Sequence, residues 1–430
     1  MYPLRRAILK LLILIKFLIK KIHAIIDNNM TKKNEHYCKD CGGSQVNHTV
    51  VYISILMGVL VEPWTNWMGK LIPESSFDWM GTGLTKTLTF FRLGKITYEP
   101  KKDDSGRAQV LWEEAIKREI YMYEFRLFNI GHDIFVSNFN KDKRFFYVLP
   151  RPKIYNPKGL EWMDNKGEMK KHFEAAGIKV ARGGVTHSIK NALKIFNSLD
   201  KPVITKPNLG SRSRHTTTHL SDETEFIKAF KIARQLSPWV MIEEELSGYV
   251  FRGTLIGGKL IAVLRREPAY VIGDGIHNVK ELVEIENKNP LRQGPIFHQL
   301  KLDEDAIKEL THWGHDENTI PKKDELITLG QKTSRAVGGG ITDMTDVIHP
   351  DNIVMLEKVA EVLDDPLIGV DFIMDDVAIS WKDQPRCGVI ECNSAPFIDL
   401  HHFPLVGKPR NVAGALWDIV YPETKDKSSK

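Results

Sequence analysis

The chain has 430 residues, 42% of them apolar and 27% charged, a composition that excludes a disordered polymer and has the length for roughly two or three packed subdomains. The net charge of +5 is too small for wholesale nucleic-acid binding, and much of the excess sits between Arg5 and Lys21. Four cysteines suit a reducing compartment rather than a disulfide scaffold.

Residues 1–30 read as a basic amphipathic helix. From Ala7 to Ile26 the chain is nearly all apolar, interrupted by Lys10, Lys16, Lys20 and Lys21. At about 100° per residue these lysines share one arc and leave a broad apolar face. The central charges argue against a spanning helix, and no small-residue cleavage site follows the apolar stretch. Residues 7–26 are therefore expected to make peripheral contact with the inner membrane surface of a cytoplasmic protein. A helix packed on its own protein, or a true start at Met30, are the plainer readings.

Cys38-x-x-Cys41, with His36 or His48 near it, has the spacing of half a zinc site. Structural zinc usually takes four ligands in paired clusters, so two solvent-accessible thiols in a loosely ordered arm are expected. The apolar run Val50–Val61 is too short to span a bilayer and is expected in a core. The rest of 31–105 shows no clear period. Glu113–Phe125 has a helical pattern, and Asp133–Ser137 and Arg144–Leu149 read as strands around the polar turn Asn138–Lys143. These elements form a small α/β unit that closes an N-terminal region of residues 31–160.

The main domain is expected over 161–425. A helix over Glu168–Ala176 stops at Gly177, a strand ends near Arg182, a helix covers Ser188–Leu199, and the strand Val203–Lys206 is capped by Pro207. The helix Asp222–Leu236 and the strand Val240–Glu243 follow. Phe251–Ile256 and Leu260–Arg265 form a hairpin turning at Gly257-Gly258. A polar, loop-rich excursion runs from Glu267 to Lys323. The helix Asn352–Leu363 precedes the strands Gly369–Met374 and Gly388–Cys392. This order fits an α+β architecture with nucleotide between two lobes.

Glu391 and Asn393 are two apart on the last strand, so their side chains share a face, and Asp371 lies on the strand before it. Two carboxylates and an amide oxygen meeting there suit Mg²⁺, which completes its shell with water and phosphate oxygens.

The segment Val389-Ile390-Glu391-Cys392-Asn393-Ser394-Ala395-Pro396 resembles the terminal metal-binding strand of ATP-grasp enzymes, specifically the ATP-grasp domain of cyanophycin synthetases and of bifunctional glutathione synthetases. Four further segments agree in order: Asn165-Lys166-Gly167-Glu168-Met169-Lys170, Gly273-Asp274-Gly275-Ile276-His277, Asp343-Met344-Thr345-Asp346, and Pro409-Arg410-Asn411-Val412-Ala413. The resemblance implies an ATP-grasp fold and an ATP-dependent ligase that joins a carboxylate to an amine through an acyl-phosphate. The substrates would be small molecules, amino acids or a peptide. The alternative is a non-catalytic ATP-binding module; a biotin-dependent carboxylase uses the same fold. A homodimer is a further reading.

By the same resemblance Asp371, Glu391 and Asn393 would hold one or two Mg²⁺, with Mn²⁺ as a substitute, against the phosphates of ATP. Lys166 and Lys206 would contact phosphates, as would Ser211, Arg212 and Ser213 in the loop that follows. Backbone groups of Glu243, Glu244, Glu245 and Leu246 would meet the adenine edge. Arg252 matches a family arginine near the phosphates, Arg265 and Arg266 lie where the family has a basic residue facing the acyl-phosphate, with Arg266 the preferred of the two, and Arg335 would substitute for an arginine usual where Gly330 stands. Three departures are visible. The loop Lys206–His215 keeps Gly210 but has Ser213 and His215 where glycines let backbone approach phosphate. Val250 stands where a ribose-binding carboxylate is common. The large ligase domain that follows in cyanophycin synthetases is missing, so polymer synthesis by the usual cycle is not expected. Substrate selection is expected in Glu267–Lys323 and before residue 105.

Overall fold

The structure is a computed structural model and describes residues 38–429 except 42–44, 70–73, 102–103, 132, 154–161, 211–213, 294–296, 332, 334 and 336–337. The basic helix expected over 1–30 lies outside the described residues. The chain divides into two compact units.

The first unit comprises the described parts of Met1–Tyr98, Met122–Tyr147 and Gly159–Leu246. Its first sheet has the order β1-β2-β3-β4, from β1 (Gly94–Thr97), β2 (Tyr121–Leu127), β3 (Ile134–Phe139) and β4 (Asp142–Tyr147). The expected helix Glu113–Phe125 is thereby corrected: a helix ends at Lys117, Glu119 takes a φ of +58°, and the aromatic-rich run from Tyr121 pairs as a strand. The polar turn between β3 and β4 is tight, with Asn140 and Lys141 both at positive φ.

The apolar run Val50–Val61 does not form the expected core, since none of its described side chains is buried. It lies in the helix His48–Gly69 with Ile53 and Met57 each about half exposed. Apolar residues surround this helix, so no single face can bury them all. No helix among the described residues is long and apolar enough to cross a membrane.

The second sheet of this unit has the order β5-β8-β6-β7, from β5 (Gly183–Thr186), β6 (Val203–Pro207), β7 (Thr217–Leu220) and β8 (Val240–Glu244), with antiparallel neighbours throughout. The helices Ile189–Ser198 and Glu223–Arg234 bury Phe196, Phe226 and Phe230 against Val203 and Ile242. Their N-caps are Ser188 and Asp222; the Asp222 carboxylate accepts from the N–H groups of Thr224 and Glu225. The strand expected to end near Arg182 instead begins at Gly183. A Cβ there would lie 2.2 Å from the Ile242 carbonyl oxygen, so glycine permits the close approach of β5 to β8.

The second unit comprises the described parts of Glu99–Tyr121, Val148–Lys158 and Ser247–Lys430. β9 (Tyr249–Ile256) and β10 (Lys259–Arg266) form the expected hairpin, with Gly257 and Gly258 at φ +58° and +78°. β11 (Tyr270–Ile272) pairs with β12 (Leu326–Thr328). β13 (Ile341–Asp343), β14 (Leu367–Met374) and β15 (Gly388–Asn393) complete a five-stranded sheet of order β13-β10-β9-β14-β15.

The loop-rich excursion Glu267–Lys323 is a correction too. It holds the helices Val279–Glu286 and Glu304–His312, which build a small core of their own from Val271, Leu282, Val283, Leu310 and Ile327. A capping box between Asn278 and Glu281 starts the first of them.

Candidate functional site

In the second unit the register sets three charged side chains in one transverse row. Asp371 on β14 lies directly across from Arg252 on β9 and from Glu391 on β15. Direct cross-strand partners project from the same face, and Asn393 lies opposite Gly369, two residues from Asp371 and hence on that face. Arg266 on β10 is two residues from Leu264, the partner of Arg252, and joins them.

Arg252 donates from Nε to Asp371 Oδ1 at 2.6 Å and from Nη2 to Oδ2 at 2.5 Å, both residues being buried. Burial alone would weaken this guanidinium's hold on its proton, but Asp371, with smaller help from Glu391 and Asp399, raises it above the ordinary arginine value. Arg266 goes the other way. Burial lowers it, and although Asp371 supports its charge, Arg252 and Arg335 oppose it. Arg335 donates to Asp399 Oδ2 at 2.9 Å; Asp399 is buried, and its Oδ1 has no partner among the described residues. The structure thus brings Arg252, Arg266, Asp371, Glu391 and Asn393 to one sheet face, and the charges of Arg252, Arg266, Arg335 and Asp399 within electrostatic reach of one another.

These residues fit Mg²⁺. A carboxylate offers about four acceptor positions, and the Arg252 fork takes two of Asp371's. Asn393 is half-buried, its Nδ2 is buried without a partner among the described residues, and a half-turn of that amide exchanges nitrogen for oxygen. Cys392 belongs to the opposite, apolar face. Burial, with Asp371 and Glu391 behind it, pushes its thiol well up, in keeping with a packing residue.

The first unit carries a second charged group. Glu243 on β8 is buried, and its two oxygens accept separately from Lys206 Nζ on β6 and from Lys170 Nζ on the helix Lys166–Ala175. Burial by itself raises the Glu243 carboxyl, yet the two ammonium groups hold it down at about 2. Lys170 also donates to the Ala181 carbonyl at 2.6 Å. It titrates below its ordinary value because burial and the Lys206 charge together outweigh Glu243. Two cations share one anion, which leaves one positive charge available to a further anion.

Lys170 escaped the sequence reading. Its signal was its position one turn after Lys166 on the same helix. Lys166 Nζ donates to the Gly210 carbonyl at 2.7 Å, and the Asn208 side chain accepts from Gly167 N–H and donates to Asn165 Oδ1, tying the helix start to the chain after β6. Ser211, Arg212 and Ser213 lie outside the described residues. Glu244 and Glu245 give their N–H groups to the carbonyls of Arg182 and Pro202, and Leu246 is half-buried just beyond β8.

No protein-family model matches the chain. It is 32% identical over 332 residues to the glutathione biosynthesis bifunctional protein of Mannheimia succiniciproducens, an alignment covering 73% of this chain and 42% of that protein. It is 30% identical over 270 residues to the cyanophycin synthetase of Trichormus variabilis, covering 61% of this chain and 30% of the relative. The chain thus spans less than half the length of these relatives. Among solved structures, a bifunctional glutathione synthetase from Pasteurella multocida superimposes with a TM-score of 0.60 at 26% identity, over 74% of this chain and 43% of that one. The chain carries the ATP-grasp fold and is a homologue of cyanophycin synthetases and bifunctional glutathione synthetases.

Proposed function

We propose that this ATP-grasp chain is an ATP-dependent ligase that joins a carboxylate to an amine, with amino acids or a peptide as substrates. The observation that carries the reading is the row Arg252–Asp371–Glu391 across β9, β14 and β15, with Asn393 on the same face. A sheet face with two carboxylates and an amide is an oxygen donor set, and flanking arginines suit a reaction in which phosphoryl and carbonyl oxygens gain charge.

In this reading a substrate carboxylate oxygen attacks the γ-phosphorus of ATP, the bond to the ADP oxygen breaks, and an acyl-phosphate forms. The amine then attacks the carbonyl carbon, loses a proton and expels phosphate. Asp371, Glu391 and Asn393 would hold Mg²⁺, which when bound supplies positive charge beside the phosphates. We assign Lys166 and Lys206 to phosphate oxygens, Lys206 drawing on the unbalanced positive charge beside Glu243. Ser211, Arg212 and Ser213 are assigned to the same phosphates. Adenine falls to the backbone of Glu243–Leu246, chiefly the Leu246 N–H, since those of Glu244 and Glu245 are engaged. Arg252, Arg266 and Arg335 offset charge on the acyl-phosphate and the tetrahedral oxyanion.

Purified protein given Mg-ATP and a pool of amino acids should release ADP and phosphate only with suitable acceptors, and mass spectrometry should find a new amide. Asp371→Asn or Glu391→Gln should lower turnover roughly a hundredfold or more. ATP binding without turnover on every acceptor would establish the non-catalytic module instead. That reading has one observation of its own, the engagement of both Asp371 oxygens by Arg252. Attachment of residues 7–26 to an inner membrane surface is a separate proposal. It predicts flotation of the full chain, but not of a chain starting at Met30, with anionic vesicles. Sedimentation of the full chain tests the homodimer.

A further inference from the structure

The expectation of two accessible thiols fails in the first unit: Cys41 is buried and four ligand-type side chains converge. We infer that Cys38, Cys41, His48 and His215 hold one structural Zn²⁺. Their donor atoms all lie within 4.8 Å of one another. Cys41 Sγ is 3.3 Å from His48 Nε2 and 3.4 Å from His215 Nε2, and Cys38 Sγ is 3.6 Å from His215 Nε2. Bonds of about 2.3 Å to sulfur and 2.0–2.1 Å to nitrogen put the sulfur–nitrogen edge of a zinc tetrahedron at about 3.6 Å, so the pockets of space match.

The surroundings orient the ligands. His215 is buried, and its Nδ1 lies 2.8 Å from the Ile232 carbonyl; a carbonyl can only accept, so Nδ1 carries the proton and Nε2 presents its lone pair to the cluster. The short 3₁₀ turn Lys39–Cys41 supplies the C-x-x-C, and the Gln45 side chain clasps the Cys38 main chain, accepting from its N–H and donating to its carbonyl at 2.9 Å each. His48 opens the helix His48–Gly69. His215 N–H donates to the Asp40 carbonyl at 2.9 Å, so the turn and the chain after β6 are joined through backbone as well. Four protein ligands leave no open position, which marks a structural rather than a hydrolytic site. Both sulfurs lie within 3.6 Å of the same imidazole nitrogen, which suits one ion better than a two-iron cluster that places its sulfur and nitrogen ligands on different irons.

The ion also accounts for a departure noted in the sequence. His215 stands where the resembled loop has a glycine and keeps a glycine-like φ of +52°, while its side chain becomes a ligand. The chain after β6 is then held by a metal tie to the N-terminal turn. This inference does not depend on the ligase reading, since metal content is measured without turnover.

The test is elemental analysis of the full-length protein after growth with added zinc, with thiols kept reduced. Close to one equivalent of zinc per chain is expected, with release on mercurial titration of the Cys38 and Cys41 thiols, and loss in Cys38→Ser and His215→Gln. Should those variants fold poorly, Co²⁺ exchanged into the unaltered protein supplies the second readout: intense tetrahedral ligand-field absorption with sulfur-to-cobalt charge transfer. Zinc far below one equivalent in the unaltered protein, zinc unchanged in a Cys38→Ser/Cys41→Ser variant, octahedral cobalt spectra, or iron–sulfur absorption would each overturn the proposal.

Discussion

Glu243→Gln keeps the shape of the side chain and removes the charge that Lys170 and Lys206 share. The magnitude follows from the carboxyl's titration, held at about 2 in the fold against an ordinary 4.5. At 1.36 kcal/mol per tenfold change, that difference is about 3 kcal/mol. It falls within the roughly 3–5 kcal/mol lost when one partner of a buried ion pair is removed. A depressed folded-state value means that the contribution is complete above pH 4.5 and disappears as pH falls toward 2, so at pH 7 the variant loses all of it. Native-state hydrogen exchange of the β8 amides at pH 7 should show a drop of about 3 kcal/mol in their opening free energy. Adding Lys170→Met to Glu243→Gln should recover part of the loss, because one of two unbalanced buried cations is gone. A drop below about 1 kcal/mol, or a double variant as weak as the two single losses added together, would refute the reasoning.

Three further outcomes are expected. Gly183→Ala forces a Cβ into the Ile242 carbonyl and should cost about 1–3 kcal/mol, read as a lower thermal midpoint; an unchanged midpoint would show that β5 shifts freely. Arg252→Lys keeps the charge but loses the two-pronged grip on Asp371, and ATP turnover should fall roughly tenfold to a hundredfold while the protein remains folded. His401 is held at about 3, chiefly by burial and then by Arg252, while the unfolded chain takes up that proton near pH 6.5. The unfolded state therefore binds the extra proton between these values, stability should fall by about 1.4 kcal/mol per pH unit below pH 6.5, and urea midpoints at pH 7, 6 and 5 should show less of this slope in His401→Gln.

Much of the fold was legible because its signals are local. Gly177 ends the helix Lys166–Ala175 at a φ of +73°, Asp222 caps the helix Glu223–Arg234, and Gly257-Gly258 turns the hairpin. The failures have local causes as well. The strand expected to end near Arg182 begins at Gly183, where the missing Cβ is what lets it pair. Tyr121–Phe125 falls in the expected helix Glu113–Phe125, when its alternate aromatic spacing favours a sheet. The Asn278–Glu281 box was present in the sequence and marks a helix inside the stretch read as loop.

By itself the sequence determined which side chains share a strand face, as with Glu391 and Asn393, because alternation along an extended chain is a property of neighbouring residues. What those side chains meet depends on contacts between distant parts of the chain. The Arg252 fork on Asp371 spans 119 residues of chain, and the two lysines on Glu243 come from 37 and 73 residues away. His215 reaches Cys38 from a distance of 177 residues. Such meetings are set by strand order and by which helix covers which sheet, so a C-x-x-C alone leaves the other half of its ligand set undefined until the chain closes.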